Sequence, residues 1–194
     1  MQLLQERNIN MKRYILLVFV AMLSGCFSPT PHFYQTVSID NNNSINTKFN
    51  KTILINQVII PSEISRLQIT TLGKTDYEVK IDEFNRWSTQ VDKMLQKVIN
   101  ENISSLLPNA IVENQTTFRK NFDYAILVEI TELNGRLDEM ASLKASYFIK
   151  NKNGMIVKSG KFDKSITFEG KYDSYIEALS VLINDLSIEI AKKI

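Results

Sequence analysis

The chain has 194 residues with 23 lysines and arginines, 21 aspartates and glutamates, one histidine and one cysteine. Beyond residue 25 the basic and acidic side chains are equal in number, which argues against a nucleic-acid binder, because such proteins carry a basic excess. A single histidine and a single cysteine argue against the usual zinc ligand sets and against a histidine-activated nucleophile.

The N-terminus follows the pattern of a secretory signal, with a basic start, an apolar middle and a small-residue exit. Lys12 and Arg13 supply the charge, and residues 14–23 form the apolar run. That run is roughly ten residues long, whereas a spanning helix needs about 20. We therefore predict that residues 1–25 are a signal peptide. Because Met11 directly precedes the basic pair, residues 1–10 read as an upstream extension.

The motif Leu23-Ser24-Gly25-Cys26 closes this run and resembles the bacterial lipobox. The resemblance implies that the cysteine is acylated, that the signal is cut before it, and that Cys26 becomes the first residue of a lipoprotein. Two or more acyl chains give stable membrane anchoring. Phe27 in place of aspartate at the next position implies release to the outer membrane. The alternative is an exported protein with a free thiol, which oxidising compartments disfavour.

Residues 26–50 are mostly polar and rich in asparagine, so we predict a lipidated N-terminus and a flexible tether, with a short docking strand at 33–37. A single domain over residues 51–194 is expected to follow. Residues 53–60 are predicted to form one buried strand that ends at Pro61. Residues 67–71 and 76–80 are predicted to form a hairpin.

From residue 82 to residue 107 the apolar period changes to about 3.6, which predicts a helix with Asp82 as N-cap. Arg86 and Trp87 would then lie in its first turn. Trp87 is interpreted as a core side chain under that turn, with a ligand or partner contact as the alternative. Arg66, just before the hairpin, is either solvated or part of an interface.

The rest of the chain predicts a short strand at 110–112 and an antiparallel meander over 122–131, 143–149 and 155–168, with Gly135 in a turn. The first strand of the meander is apolar on both faces, as expected at the centre of a sheet. A last helix is expected to begin near Ser174, whose spacing to Glu177 fits a capping box. The predicted fold is α+β: a two-layer sandwich of a mostly antiparallel sheet with two long helices packed on it.

Several stretches, in this order along the chain, resemble the ABC-transport auxiliary lipoproteins. They are Phe33-Tyr34, Ile60-Pro61, Arg66 with Gln68-Ile69-Thr70, Glu83 with Arg86-Trp87, Leu133-Asn134-Gly135, Leu143 with Ala145, and the helix over residues 172–191. Ser65 departs from the aspartate, and Tyr147 from the tryptophan, that this family often has there.

The resemblance implies a protein that is not an enzyme and needs no cofactor or metal beyond the acyl chains on Cys26. It implies an outer-membrane lipoprotein that faces the periplasm and serves as a docking subunit of an MCE (mammalian cell entry) lipid-transport system. Its implied partners are a periplasmic MCE-domain protein and that protein's inner-membrane ABC and permease components, and a homo-oligomeric ring is implied as well. Arg66, Arg86 and Trp87 are the implied interface or structural residues.

Two other readings compete with this one. The first is an envelope lipoprotein that assists the assembly or stability of another envelope complex, such as a secretion apparatus. The second is a hydrolase that uses carboxylates alone, for which Asp138, Glu139 and nearby Glu132 are the candidate acids. Adjacent acids after a glycine more often belong to a solvated loop.

Overall fold

The computed structural model describes residues 29–40, 44–114 and 121–194. The predicted signal peptide over residues 1–25 and the lipidation site Cys26 lie outside these residues. The strands are β1 (His32–Tyr34), β2 (Thr52–Ile55), β3 (Gln68–Leu72), β4 (Val79–Trp87), β5 (Ile111–Asn114), β6 (Tyr124–Arg136), β7 (Met140–Asn151) and β8 (Ile156–Thr167). The helices are α1 (Val91–Leu106) and α2 (Tyr172–Lys193).

The strands form two mixed sheets. The larger has the order β5-β2-β6-β7-β8, with β2 parallel to both neighbours and β6, β7 and β8 forming long antiparallel ladders. The smaller has the order β1-β4-β3, with β1 parallel and β3 antiparallel to β4. The α+β class with two packed helices is confirmed. The second sheet is an addition that the sequence pattern did not indicate.

Both helices contribute to one hydrophobic core against the larger sheet. Along β7, Leu143, Ala145, Tyr147 and Ile149 are buried, as the alternation of a strand with one covered face requires. The helices bury complementary stripes, which include Leu95 and Ile99 of α1 and Leu179, Leu182 and Leu186 of α2. No helix in the described ranges has the length and apolar character needed to cross a membrane.

The predicted meander, the central position of β6, the β3–β4 hairpin and the short strand near residue 111 are confirmed. The buried strand expected over residues 53–60 is shorter, because β2 ends at Ile55. Beyond it, Ile59 still exchanges backbone hydrogen bonds with β6 as an isolated bridge to Glu129.

The prediction that a helix begins at Asp82 is wrong, because residues 82–87 belong to β4 and α1 begins at Val91 after Gln90. The Asp82 carboxylate accepts hydrogen bonds from the backbone N–H groups of Phe84 and Asn85, at 2.8 and 2.9 Å. Those are the bonds that an N-cap makes, but here they hold an irregular stretch of β4.

Two other local predictions are also wrong. Gly135 lies inside β6, and the turn falls after it, where Asp138 adopts a φ of 62°. The helix α2 begins at Tyr172, two residues before the expected cap, and no side chain caps its first turn. The capping box of Ser174 is therefore absent.

After β1, residues 36–39 are held against the helices. Thr36 is buried, the backbone N–H of Val37 donates to Ser180 Oγ of α2, and that of Ile39 donates to Asn102 Oδ1 of α1. The stretch predicted as a tether thus contains residues that are hydrogen-bonded to the folded core. Residues 31–194 form a single compact unit.

Candidate functional site

The base of the β3–β4 hairpin brings the three residues selected from the sequence to one end of the smaller sheet. Gln68 of β3 is paired with Arg86 of β4, and the backbone N–H of Trp87 donates to the carbonyl of Leu67 at 2.6 Å. Arg66 directly precedes that carbonyl along the chain. The antiparallel ladder therefore places Arg66 near Arg86 and Trp87, although about twenty residues separate them in sequence.

Trp87 is buried, with only 5% of its surface exposed, and it belongs to the hydrophobic core. On its other side it is paired with Tyr34 of β1. An indole so enclosed presents almost no surface to a partner, so its burial favours the structural interpretation over an interface contact.

Arg86 is fixed by its own strand. Its Nε donates to the carbonyl of Glu83 at 2.7 Å, and its Nη2 lies 3.3 Å from Glu83 Oε2. The side chain of Gln68 donates to the same carboxylate at 3.4 Å. About a third of the Arg86 side chain remains exposed, so the guanidinium is a positioned surface cation.

Arg66 is exposed and lines a surface depression of about 430 Å³ between the hairpin base and the start of α1. Gln57, Gln90, Asp92 and Lys93 line the same depression. Across it, Gln57 Nε2 donates to Asp92 Oδ2 at 2.9 Å. None of the ion pairs among the described residues includes Arg66. The depression thus presents a guanidinium among mainly polar side chains, with Leu67 and Val91 as its apolar lining.

Sequence reasoning missed a half-buried polar cluster between β4 and the first turn of α2. Tyr172 Oη, on the first turn of α2, donates to Asp82 Oδ2 at 2.7 Å, and the Tyr172 ring packs against Tyr34. Partial burial by itself would raise the pKa of Asp82. Hydrogen bonds from Tyr172, from the Asn85 side chain and from two backbone N–H groups outweigh burial and lower that pKa to about 2.

Burial and the bond to Asp82 raise the pKa of Tyr172, so its hydroxyl stays protonated and remains a donor. Asp82 and Tyr172 are 90 residues apart, and no local pattern in the sequence could have paired them.

A second feature that the sequence did not indicate joins the hairpin tip to the larger sheet. Arg136, at the end of β6, donates from Nε to the carbonyl of Gly73 at 2.7 Å and from Nη2 to Asp76 Oδ1 at 2.8 Å. Its Nη1 bonds Glu139 Oε1 at 2.8 Å. The hydrogen bonds to Glu139 and Asp76 raise the pKa of Arg136 above its usual value.

The acids of the hydrolase hypothesis serve separate structural contacts. Asp138 accepts from the backbone N–H of Gly170, Glu139 pairs with Arg136, and Glu132 pairs with Lys144 at 3.0 Å. Among the described residues, no group of three or more histidine, cysteine or acidic side chains could hold a metal ion. Glu132 lines a surface depression of about 480 Å³ together with Asp76 and Asp163, whereas Asp138 and Glu139 are not among the residues that line it.

Comparison with known proteins places this geometry in a family context. The chain is 22% identical to the intermembrane transport lipoprotein PqiC of Escherichia coli over 187 residues. This alignment covers 95% of the chain and 98% of PqiC. A crystal structure of an uncharacterized protein matches with a TM-score of 0.71 and 19% identity, covering 85% of this chain and 99% of that one.

A crystal structure of a Xanthomonas campestris protein matches with a TM-score of 0.67 and 13% identity, covering 83% and 93% of the two chains. At such identities these structures establish the fold alone. The sequence profile described as the ABC-type transport auxiliary lipoprotein component matches residues 36–191, which include most of the described fold. The chain therefore belongs to the ABC-type transport auxiliary lipoprotein family.

Proposed function

We propose that this protein is an outer-membrane lipoprotein, acylated on Cys26, that serves as the docking subunit of an intermembrane lipid-transport system. One observation carries the proposal: the alignment with the intermembrane transport lipoprotein PqiC runs over 95% of this chain and 98% of PqiC. The match thus runs over nearly the whole of both chains.

The role we propose is non-enzymatic. The three acids considered for catalysis make other contacts: Asp138 accepts a backbone hydrogen bond, and Glu139 and Glu132 form ion pairs. The depression around Arg66 is lined mainly by polar side chains, whereas small-molecule sites favour a predominantly apolar lining. Both features suit a protein whose work is to hold other proteins in place.

The partner we propose is a periplasmic protein with MCE domains, which in turn connects to an ABC transporter and permease in the inner membrane. We place the contact at the hairpin base, where Arg66 is exposed and Arg86 is fixed by Glu83. Arginine is enriched at protein interfaces because its planar guanidinium forms several directed hydrogen bonds at once.

The test is an affinity pull-down of the full-length lipoprotein from detergent-solubilised membranes, with co-purifying proteins identified by mass. A Cys26→Ala variant, which cannot be acylated, serves as the control for the anchor. The intact mass of the wild-type protein reports whether Cys26 is acylated. Recovery of an MCE-domain protein or its ABC transporter with the wild type supports the proposal. Recovery of a different envelope complex would favour the alternative, a lipoprotein that assists the assembly of that complex. A wild-type protein in which Cys26 is not acylated would contradict the proposed membrane anchor.

A further inference from the structure

The tip of the β3–β4 hairpin carries an apolar strip in contact with solvent. Tyr77 is 97% exposed, Val79 62% and Ile81 48%. Val79 and Ile81 are two residues apart on one face of β4, and Tyr77 precedes them at the turn. Single exposed apolar side chains are ordinary, but neighbouring ones that together form a larger patch can mark a contact surface.

This tip is held rigidly. Arg136 joins it to the end of β6 through the carbonyl of Gly73 and the carboxylate of Asp76. Gly73 is also bonded to Glu78 across the turn, from its N–H to the Glu78 carbonyl at 2.7 Å. The apolar strip is therefore presented in a fixed direction relative to the larger sheet.

The direction of β1 relates this strip to the proposed anchor. Because β1 is parallel to β4 with His32 opposite Asn85, the chain enters β1 from the side of the hairpin tip. Cys26 is six positions before His32, so it lies within about 20 Å of it. Val79 is six positions before Asn85 along β4, which is also about 20 Å. If Cys26 is acylated as proposed, its short link to His32 keeps the bilayer no farther from His32 than about 20 Å, which is also the length of β4 between Asn85 and the apolar strip.

We propose that Tyr77, Val79 and Ile81 insert into the interface of the bilayer in which Cys26 is anchored. The inference rests on the acylation of Cys26 in the proposed function. Residues 73–81 contain two lysines and two acids, so apolar insertion and not attraction to anionic headgroups drives the contact. A tyrosine at the tip suits this depth, because its ring is apolar and its hydroxyl stays hydrated.

The opposite end of the molecule supplies a matched control. β6 has 13 residues and spans about 40 Å, from Tyr124 beside the β7–β8 turn to Arg136 beside the hairpin tip. Met155 follows the β7–β8 turn and is 58% exposed, and Ile156 and Val157 after it are exposed too, so only the direction of β1 distinguishes the two ends. If the hairpin tip lies in the membrane interface, Met155 faces away from the bilayer.

The experiment compares Tyr77→Trp with Met155→Trp in the full-length acylated protein. Each variant is reconstituted into phosphatidylcholine vesicles whose acyl chains are brominated near the headgroup, since bromine quenches tryptophan fluorescence at contact. The parent protein gives the background of the buried Trp87. Because both variants add the same residue at an exposed site, the intrinsic affinity of tryptophan for the interface is matched.

We expect about a twofold loss of emission from Trp at position 77 and no loss at position 155, with little change between low and high salt. Equal quenching at both positions, or none at either in protein that remains on the vesicles, overturns the hairpin contact while leaving the anchor intact. Loss of quenching in high salt overturns the apolar mechanism. Protein that is unacylated and stays off the vesicles overturns both the anchor and the contact.

Discussion

The Tyr172 hydroxyl donates a 2.7 Å hydrogen bond to Asp82, which joins the first turn of α2 to the irregular stretch of β4. This bond connects the layer of helices to the smaller sheet. It also helps to keep the pKa of Asp82 near 2, well below the value of about 3.9 expected in the unfolded chain.

The first prediction concerns acid stability. A carboxylate whose pKa is lower in the folded state stabilises that state above the unfolded pKa, and this stability is lost as the pH falls from about 4 towards 2. We expect Tyr172→Phe to reduce the free energy of unfolding at neutral pH by about 1–2 kcal/mol. The variant should also lose less stability than the wild type between pH 4 and pH 2.

Urea titrations across this pH range measure both effects. Tyr77→Phe is the control, because that hydroxyl is on a side chain that is 97% exposed. If the free energy of unfolding of Tyr172→Phe falls as steeply between pH 4 and pH 2 as that of the wild type, the Tyr172 hydroxyl does not lower the pKa of Asp82.

The second prediction concerns Asn102, which is fully buried and joins three parts of the chain. Its Oδ1 accepts from the backbone N–H of Ile39, and its Nδ2 donates to Ser187 Oγ of α2 at 3.3 Å. Asn102→Ala removes the hydrogen bonds that this side chain makes with the Ile39 N–H and Ser187, and we expect a loss of about 2–3 kcal/mol in the free energy of unfolding.

The local consequence separates this role from a general packing defect. Hydrogen exchange in residues 36–40 should accelerate more in Asn102→Ala than exchange in β7 does, because the N-terminal segment loses one of its attachments. Asn153→Ala, at an exposed turn, should change neither quantity. Uniform acceleration throughout the chain would contradict a specific attachment.

The third prediction concerns Gly160 of β8, which is paired with Tyr147 of β7. A Cβ at this position would overlap the Tyr147 phenol, which is buried and donates from Oη to Glu189 Oε1. We expect Gly160→Ala to cost about 1–3 kcal/mol of stability, as overpacking does. The exposed neighbour Ser159→Ala should be close to neutral.

A double-mutant cycle with Tyr147→Phe tests the cause. Because the hydroxyl is among the atoms that the new methyl group meets, its removal should make Gly160→Ala less costly in the Phe background. Equal costs in the two backgrounds would mean that the strain lies elsewhere.

The sequence predicted the parts of this fold in which one periodicity dominates. The central strand β6 was recognisable because its first residues are apolar on both faces, and β7 because buried side chains recur at every second position. The helix boundary failed because Phe84, Trp87 and Val91 have helical spacing although the first two lie on β4. Asp82 strengthened that error, since a carboxylate that binds nearby backbone N–H groups has the chemistry of an N-cap.

The candidate surface was only partly predictable. Arg66 and Arg86 drew attention through a family resemblance, but their proximity depends on the register of the β3–β4 ladder, which the sequence pattern did not specify. The apolar strip at the hairpin tip was missed because a strand residue such as Val79 or Ile81 is normally expected to be covered. Exposure of both became clear only once the neighbours of β4 were known.

The last prediction tests the docking surface at the hairpin base. Arg66→Glu reverses one exposed charge, and Arg66 takes part in none of the ion pairs described, so we expect the free energy of unfolding to change by less than about 0.5 kcal/mol. In the pull-down, the same change should reduce recovery of the MCE-domain partner about tenfold or more, because a repelled interface charge costs on the order of 1–3 kcal/mol. Lys152→Glu, at the exposed β7–β8 turn, makes the same charge change far along the larger sheet and should leave recovery unchanged. Equal losses in both variants would point to a response to net charge, and full recovery with Arg66→Glu would exclude the hairpin base from the interface.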